Sequence, residues 1–339
     1  MSDVSCNLDL DEPGHHTGYI QVPSTTDTSG WRNELIPIVT FGSPDRGRRV
    51  LVLAGTHGDE HEGQFAAHRL LREVRDDEVD GQLIIVPYLS GPAVKIGRRH
   101  WPDGSNMNRV FPGDPQGSPA GRLANFLTKE LFTRSDVVYD LHSGGRTTHV
   151  YPMSHMRRVD DPEQGRAMLA AMKAWNSDFH MLYINVAGTG LLPDTAADMG
   201  KLVVTTELGG GGYIPPVLNS FAIDGLKNSL RQVGVLAGAV VDRSDLGLPP
   251  AKILSALDPA NYMFAPASGL VQLAVAAGDE VSAGDLVAEI HSTERPWAPA
   301  VELRAPNAGI VCATRAITVT EQGDMVVVLG QVIDEGDIW

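Results

Sequence analysis

The sequence predicts an α/β fold: a mainly parallel sheet with helices on both faces, followed by a small C-terminal all-β domain. Three observations carry this expectation. Apolar runs alternate with segments of helical periodicity from Glu34 to Val240, as strand–helix–strand crossovers require. A Pro/Gly-bearing stretch, "LGLPPAK" (Leu246–Lys252), then interrupts the alternation. Beyond it only β-like runs separated by Gly-Asp turns remain. The expected division is therefore 1–248 for a catalytic α/β domain and 249–339 for a β-sandwich.

The elements follow in order. "ELIPIVTFG" (Glu34–Gly42) reads as a strand and Arg49–Ala54 as a second, fully buried one. Residues His61 to Val74 place Phe65, Ala66, Leu70, Leu71 and Val74 on one helical face. Gln82–Ser90 is strand-like, Ala120–Phe132 helical, and Asp136–Gly145 a strand running into glycines. Glu163–Trp175 reads as helix, Met181–Val186 and Leu202–Glu207 as strands, and Ser220–Val240 as a long helix. The tail carries a weak internal repeat, Ala265-Pro266 before Gly269 and Ala305-Pro306 before Gly309. Its pattern resembles a lipoyl or biotinyl carrier fold. Residues 253–339 contain no Lys to which a cofactor could be attached, which leaves a structural or access-limiting role.

Bulk properties exclude several classes. A net charge of −15 disfavours nucleic acid and anionic membranes as partners. No apolar run approaches the ~20 residues of a membrane span, and the first 30 residues lack a signal-peptide pattern, so a cytoplasmic location is expected. Cys6 and Cys312 stand almost a chain apart, which suggests neither a disulfide framework nor a thiolate metal site. A metal would then be held by His and carboxylate.

In a doubly wound sheet, ligands bind at the carboxyl ends of the strands. Three apolar runs end there in chemistry: "GTHGDE" with His57 and Glu60, "DLHSGG" with His142, and "TTELGGGG" with Glu207. Two imidazoles and a carboxylate, His57, Glu60 and His142, form the donor set of a catalytic zinc site with one position open. Each taken alone also reads as an ordinary loop residue. His61 is a rival ligand, but Gly58 directly after a strand end makes a helix through His57 and His61 unfavourable, so His61 is assigned to the first helical turn. Asp140, two residues before His142, is placed to orient its imidazole, or is merely structural. Glu207, followed by four glycines, reads as a general base. The segment "GRRHWPDGSNMNRVFPG" (Gly97–Gly113) supplies cations: Asn108 and Arg109 to clamp a substrate carboxylate, Arg99 to stabilise an oxyanion. His15, His16, His100, His149 and His155 carry no pattern of their own and are assigned to surface or loops.

"GTHGDEHEG", "NMNRVFPG", "DLHSGG" and "TTELGGGG", in this order, resemble the succinylglutamate desuccinylase/aspartoacylase family of zinc amidohydrolases, relatives of carboxypeptidase A-type peptidases. The resemblance runs from about Glu34 to Val240, and the β tail suits the family's second domain. It implies a zinc carboxypeptidase-like fold, Zn²⁺ on His57, Glu60 and His142, and Glu207 activating water. It further implies Asn108 and Arg109 at the substrate carboxylate, and Arg99 or its neighbour Arg98 at the carbonyl oxygen. The implied partner is a small N-acyl amino acid, with homo-oligomerisation left open and Co²⁺ or Mn²⁺ able to substitute in vitro. Longer stretches, "GHHTGYIQVPSTTDTSGW" and "AMKAWNSDFHMLYINVAGTGLLPDTAADMGKLVVTTELGGGG", are similar to the branch of that family whose substrate is an N-acetyl-diaminobutyrate-type compound of ectoine degradation. The alternatives are N-succinylglutamate, N-acetylaspartate or a carboxypeptidase substrate. Outside enzymes, a metal-storing or ligand-binding protein would leave Glu207 dispensable.

Overall fold

The computed structural model describes residues 3–184 and 188–338. Strand Arg49–Ala54 lies near the middle of a large mixed sheet, and its side chains alternate between the two faces. Leu51 and Leu53 enter one core layer, Val50, Val52 and Ala54 the other, as the two-residue period of a strand dictates. Helices Pro119–Phe126 and Leu192–Asp198 cover the first layer with Leu123, Leu192 and Ala196. Helices His61–Glu73 and Pro216–Gln232 cover the second with Leu70, Leu226 and Leu230. Burying one such aliphatic side chain contributes about 1.5–3 kcal/mol, so both faces are sealed.

Across the centre the strand order is Gln82–Val86, Arg49–Ala54, Val137–His142, Leu202–Glu207, Met153–Arg157, Phe179–Tyr183 and Lys252–Ala256. Every neighbouring pair in that series runs parallel except Leu202–Glu207 with Met153–Arg157. The predicted mainly parallel sheet with helices on both faces is thus present. Parallel register sets Glu207 directly beside His142, and Ala54 lies one strand away, beside Leu141. The strand ends that carry chemistry therefore share one edge.

The structure corrects several boundaries. His16–Thr26 and Ser29–Gly42 form a long hairpin, so the predicted strand at Glu34 begins five residues earlier and pairs with one absent from the sequence reading. The helix expected at Ser220–Val240 spans Pro216–Gln232. Pro216 sits in the first turn, where its missing N–H is harmless, and Gly234 at φ 82° turns the chain away just past the end. Phe65, expected on the buried helical face, is 55% exposed, because that helix turns Glu62, Gly63 and Gln64 inward instead. Of the predicted strand Met181–Val186, residues Asn185 and Val186 lie outside the described residues.

After residue 256 the described chain holds only β-strands and short 3₁₀ turns. Strands Gly269–Leu273, Leu286–His291, Val301–Arg304 and Val319–Thr320 make a four-stranded sheet. It packs through Val287, Ile290 and Leu303 against Val326 and Leu329 of a strand that continues the large sheet. The "LGLPPAK" stretch leads directly into a further strand of the large sheet. Lys252–Ala256, just beyond it, pairs with Phe179–Tyr183 on one side and Met325–Ile333 on the other, which ties the tail into the sheet. No helix among the described residues is long and apolar enough to cross a membrane.

Candidate active site

The turn after Arg49–Ala54 brings His57 and Glu60 to the sheet edge, and His61 starts the following helix, as expected. Gly58 is needed there. A Cβ on it would stand 2.3 Å from the Ala93 carbonyl carbon and 2.5 Å from the Arg98 oxygen, so only glycine lets the Arg98–Arg99 backbone dock on this turn. The run after Glu207 has the same logic. Gly210 has φ 132°, and a Cβ there would meet the Thr148 oxygen at 2.2 Å.

His57, Glu60 and His142 are all buried, and one ligand atom from each lies within 4.8 Å of the others. Glu60 spans the two imidazoles, with Oε1 2.7 Å from His57 Nδ1 and Oε2 2.7 Å from His142 Nδ1. The far nitrogens are held from behind. His57 Nε2 lies 3.1 Å from Asn106 Oδ1 and His142 Nε2 2.8 Å from Asp140 Oδ2. An Nε2–H donated to those oxygens leaves both Nδ1 lone pairs facing Glu60, the arrangement typical of metal-ligating histidines. His57 Nδ1, despite its closeness to Glu60, makes no hydrogen bond.

The electrostatics favour a positive charge between these groups. Burial alone would push the Glu60 carboxyl up, but the facing His57 and His142 hold it well below the usual range. Burial opposes a charge on His142, yet Asp140 and Glu60 outweigh it and hold its pKa well above normal. Burial lowers His57. A proton on His142 thus balances Glu60 in the metal-free protein, and a divalent cation would replace that proton. The donor set fits such a cation: three buried N and O donors, supported from behind, with room on the cavity side.

Glu207 stands at the end of its strand with Oε2 buried and unpartnered. Burial, and then the negative charge of Glu60, push its pKa up to about 8. Arg99 donates to Glu60 Oε1 at 2.8 Å. Arg99 is among the residues that line the cavity, and Arg98 is not. Asn108 accepts the Leu192 N–H through Oδ1 at 2.8 Å, so its amide N–H₂ is the part turned to other partners. Arg109 spends one N–H on the Asn108 carbonyl oxygen at 2.6 Å. All seven residues singled out for the site line one cavity of ≈ 480 Å³.

Further residues support or line the site. Asn106, quoted only as part of "NMN", supports His57. Asp140 takes the orienting role: besides His142 it accepts Thr56 Oγ1 at 2.7 Å. His155, assigned to a loop, is instead a buried strand residue bonded to Thr205 and lining the cavity. His149 likewise lies in a short strand, Thr148–Val150. A chain-local reading misses both because those strands are short and pair with distant partners. The tail also reaches the cavity, through Tyr262, Phe264, Cys312, Ala313, Met325 and Val328.

Comparison with known proteins agrees with this geometry. Residues 46–233 match the model of the succinylglutamate desuccinylase/aspartoacylase catalytic domain. Over 98% of its length the chain is 35% identical to the N-alpha-acetyl-L-2,4-diaminobutyric acid deacetylase of Halomonas elongata, covering 96% of that protein. It is 27% identical over 60% of its length to a succinylglutamate desuccinylase of Pseudomonas paraeruginosa, 63% of which is covered. Among solved structures, the product-bound ectoine utilization protein EutE (DoeB) from Ruegeria pomeroyi superposes with TM-score 0.91 at 33% identity, over 98% of this chain and 99% of that one. A succinylglutamate desuccinylase/aspartoacylase from Rhodobacter sphaeroides gives 0.92 at 30% identity, over 98% and 100%.

Proposed function

The chain belongs to the succinylglutamate desuccinylase/aspartoacylase family, and from that premise we propose that it is a zinc-dependent amidohydrolase that deacetylates an N-acetyl-diaminobutyrate-type amino acid, a step of ectoine degradation. One observation carries the reading: a buried His57–Glu60–His142 donor set with an unpartnered carboxylate, Glu207, in the same cavity. The whole-length similarity to a deacetylase acting on that compound supports the choice of substrate.

Zn²⁺ held by the three donors would supply Lewis acidity, polarising the acyl oxygen and bringing water within reach of deprotonation near neutrality. The chain's own residues do the rest. Arg109, aided by the Asn108 amide, receives the substrate carboxylate. Arg99 faces the carbonyl oxygen and stabilises the charge that develops on it. Glu207 takes a proton from the attacking water and returns it to the leaving nitrogen. Burial beside the negative charge of Glu60 raises the affinity of Glu207 for a proton in the metal-free site, a tendency that suits a group which must take a proton and give it back. Acetate and the free amino acid result.

Residues 1–248 carry this chemistry in our reading, and residues 249–339 wall the cavity. Such a wall suits a small substrate and argues against an open peptide groove, the main alternative. The test is hydrolysis of N-acetyl-diaminobutyrate beside N-succinylglutamate, N-acetylaspartate and a blocked dipeptide, before and after EDTA dialysis with metal analysis. The proposal expects about one Zn²⁺ per chain, chelator-sensitive turnover, and preference for the first compound. Full activity in demonstrably metal-free protein refutes it.

A further inference from the structure

Besides its polar groups, the cavity is lined by apolar side chains that have no task in the reaction described above. Val150, Met181, Phe264, Ala313, Met325 and Val328 line it, four of them from the tail. Strand Gly309–Arg315 is clamped to the segment that follows His142: Ala313 pairs with Val150, and the Tyr151 N–H donates to the Cys312 oxygen at 2.8 Å. The apolar wall is therefore held at a fixed distance from the ligand-bearing loop. Ala313 and Val328 are themselves in register on neighbouring strands. Phe264, 49% exposed, continues the same surface, and Met325 supplies an unbranched, adaptable side chain. A substrate whose carboxylate sits on Arg109 and whose amide faces Arg99 needs none of these contacts for its polar ends. A cavity of ≈ 480 Å³ leaves room beyond an acetyl group.

We propose that the tail-built wall is a specificity subsite for an apolar substituent next to the scissile amide, so that the enzyme also hydrolyses N-acyl amino acids carrying a short alkyl chain. This rests on the amidohydrolase reading of the same site. The alkyl group can reach the wall from the acyl side or from the amino-acid side chain, and two substrate series separate these sources. The first is acetyl, butanoyl and hexanoyl on a common amino acid. The second is N-acetyl on diaminobutyrate, 2-aminobutyrate and norleucine.

For the metal-loaded full-length protein, kcat/KM rises by about fourfold per methylene brought against the wall, in whichever series reaches it, until the cavity is full. Phe264→Ser, at a half-exposed position, lowers the long-to-short ratio of kcat/KM several-fold. Val328→Asp, which sets a charge in the wall, lowers it further in the protein that folds. Turnover of the acetyl compound with flat or falling values along both series overturns the proposal and leaves the amidohydrolase reading intact. An unchanged ratio in Phe264→Ser together with a flat series has the same consequence. No turnover of any member overturns both.

Discussion

Replacing Glu207 by Gln removes one titrating group and keeps its shape, so its effect on stability can be worked out from the structure. In the chelator-stripped protein the Glu207 carboxyl is pushed from its ordinary value of 4.5 up to about 8. Between those values the unfolded chain has lost its proton and the folded chain still holds it. Folding stability is therefore fully present below pH 4.5 and falls as pH rises toward 8, by about 1.4 kcal/mol per unit. The full excursion is at most about 5 kcal/mol, and solvent reaching the carboxylate through the cavity lowers it. The glutamine amide in the variant does not titrate in this range. Urea denaturation of the EDTA-treated proteins should thus show Glu207→Gln and wild type nearly equal near pH 5, with the variant gaining steadily to several kcal/mol by about pH 8.5. Adding Zn²⁺ should shrink the gap, because a nearby cation stabilises the carboxylate. Curves that stay parallel within about 1 kcal/mol across the whole range would show that Glu207 is not the buried, destabilised acid described here.

Three further outcomes are expected. Arg99→Ala should lower kcat by ~10²–10³ with the circular dichroism spectrum unchanged, since one oxyanion donor is lost at a part-exposed position; a change confined to KM would reassign Arg99 to ground-state binding. Arg109→Lys should raise KM roughly tenfold or more while kcat moves little, because an ammonium cannot reproduce the two-pronged guanidinium contact with a carboxylate; steady-state kinetics over a wide substrate range decides it. Asp140→Asn should weaken zinc binding about 10–100-fold, measured by competition with a chromophoric chelator, because a neutral amide accepts more weakly from His142 Nε2–H and no longer raises the imidazole's basicity. Wild-type affinity in that variant would remove Asp140 from the support of the site.

The end of a buried strand is largely a local property, and for two central strands the sequence alone was sufficient. Arg49–Ala54 and Leu202–Glu207 have the predicted bounds because each is a short run rich in apolar and β-branched residues, and the charged or imidazole-bearing residues at and after such strand ends line the cavity. Since those residues are His57, Glu60, His142 and Glu207, the proposed donor set and the proposed base were legible where the strands end. Tertiary structure alone decided what backs and what encloses them. Asn106 reaches His57 from 49 residues away, a contact no periodicity encodes. His155 becomes a cavity residue because Met153–Arg157 pairs antiparallel with Leu202–Glu207, and a five-residue strand is too short to announce its partner. The tail reads as its own unit because the pattern changes at the prolines. Its attachment is a tertiary matter: Lys252–Ala256 lies inside the large sheet, between Phe179–Tyr183 and Met325–Ile333, and Gly309–Arg315 pairs beside His142's loop, for hydrogen bonding between strands depends on which backbones come side by side.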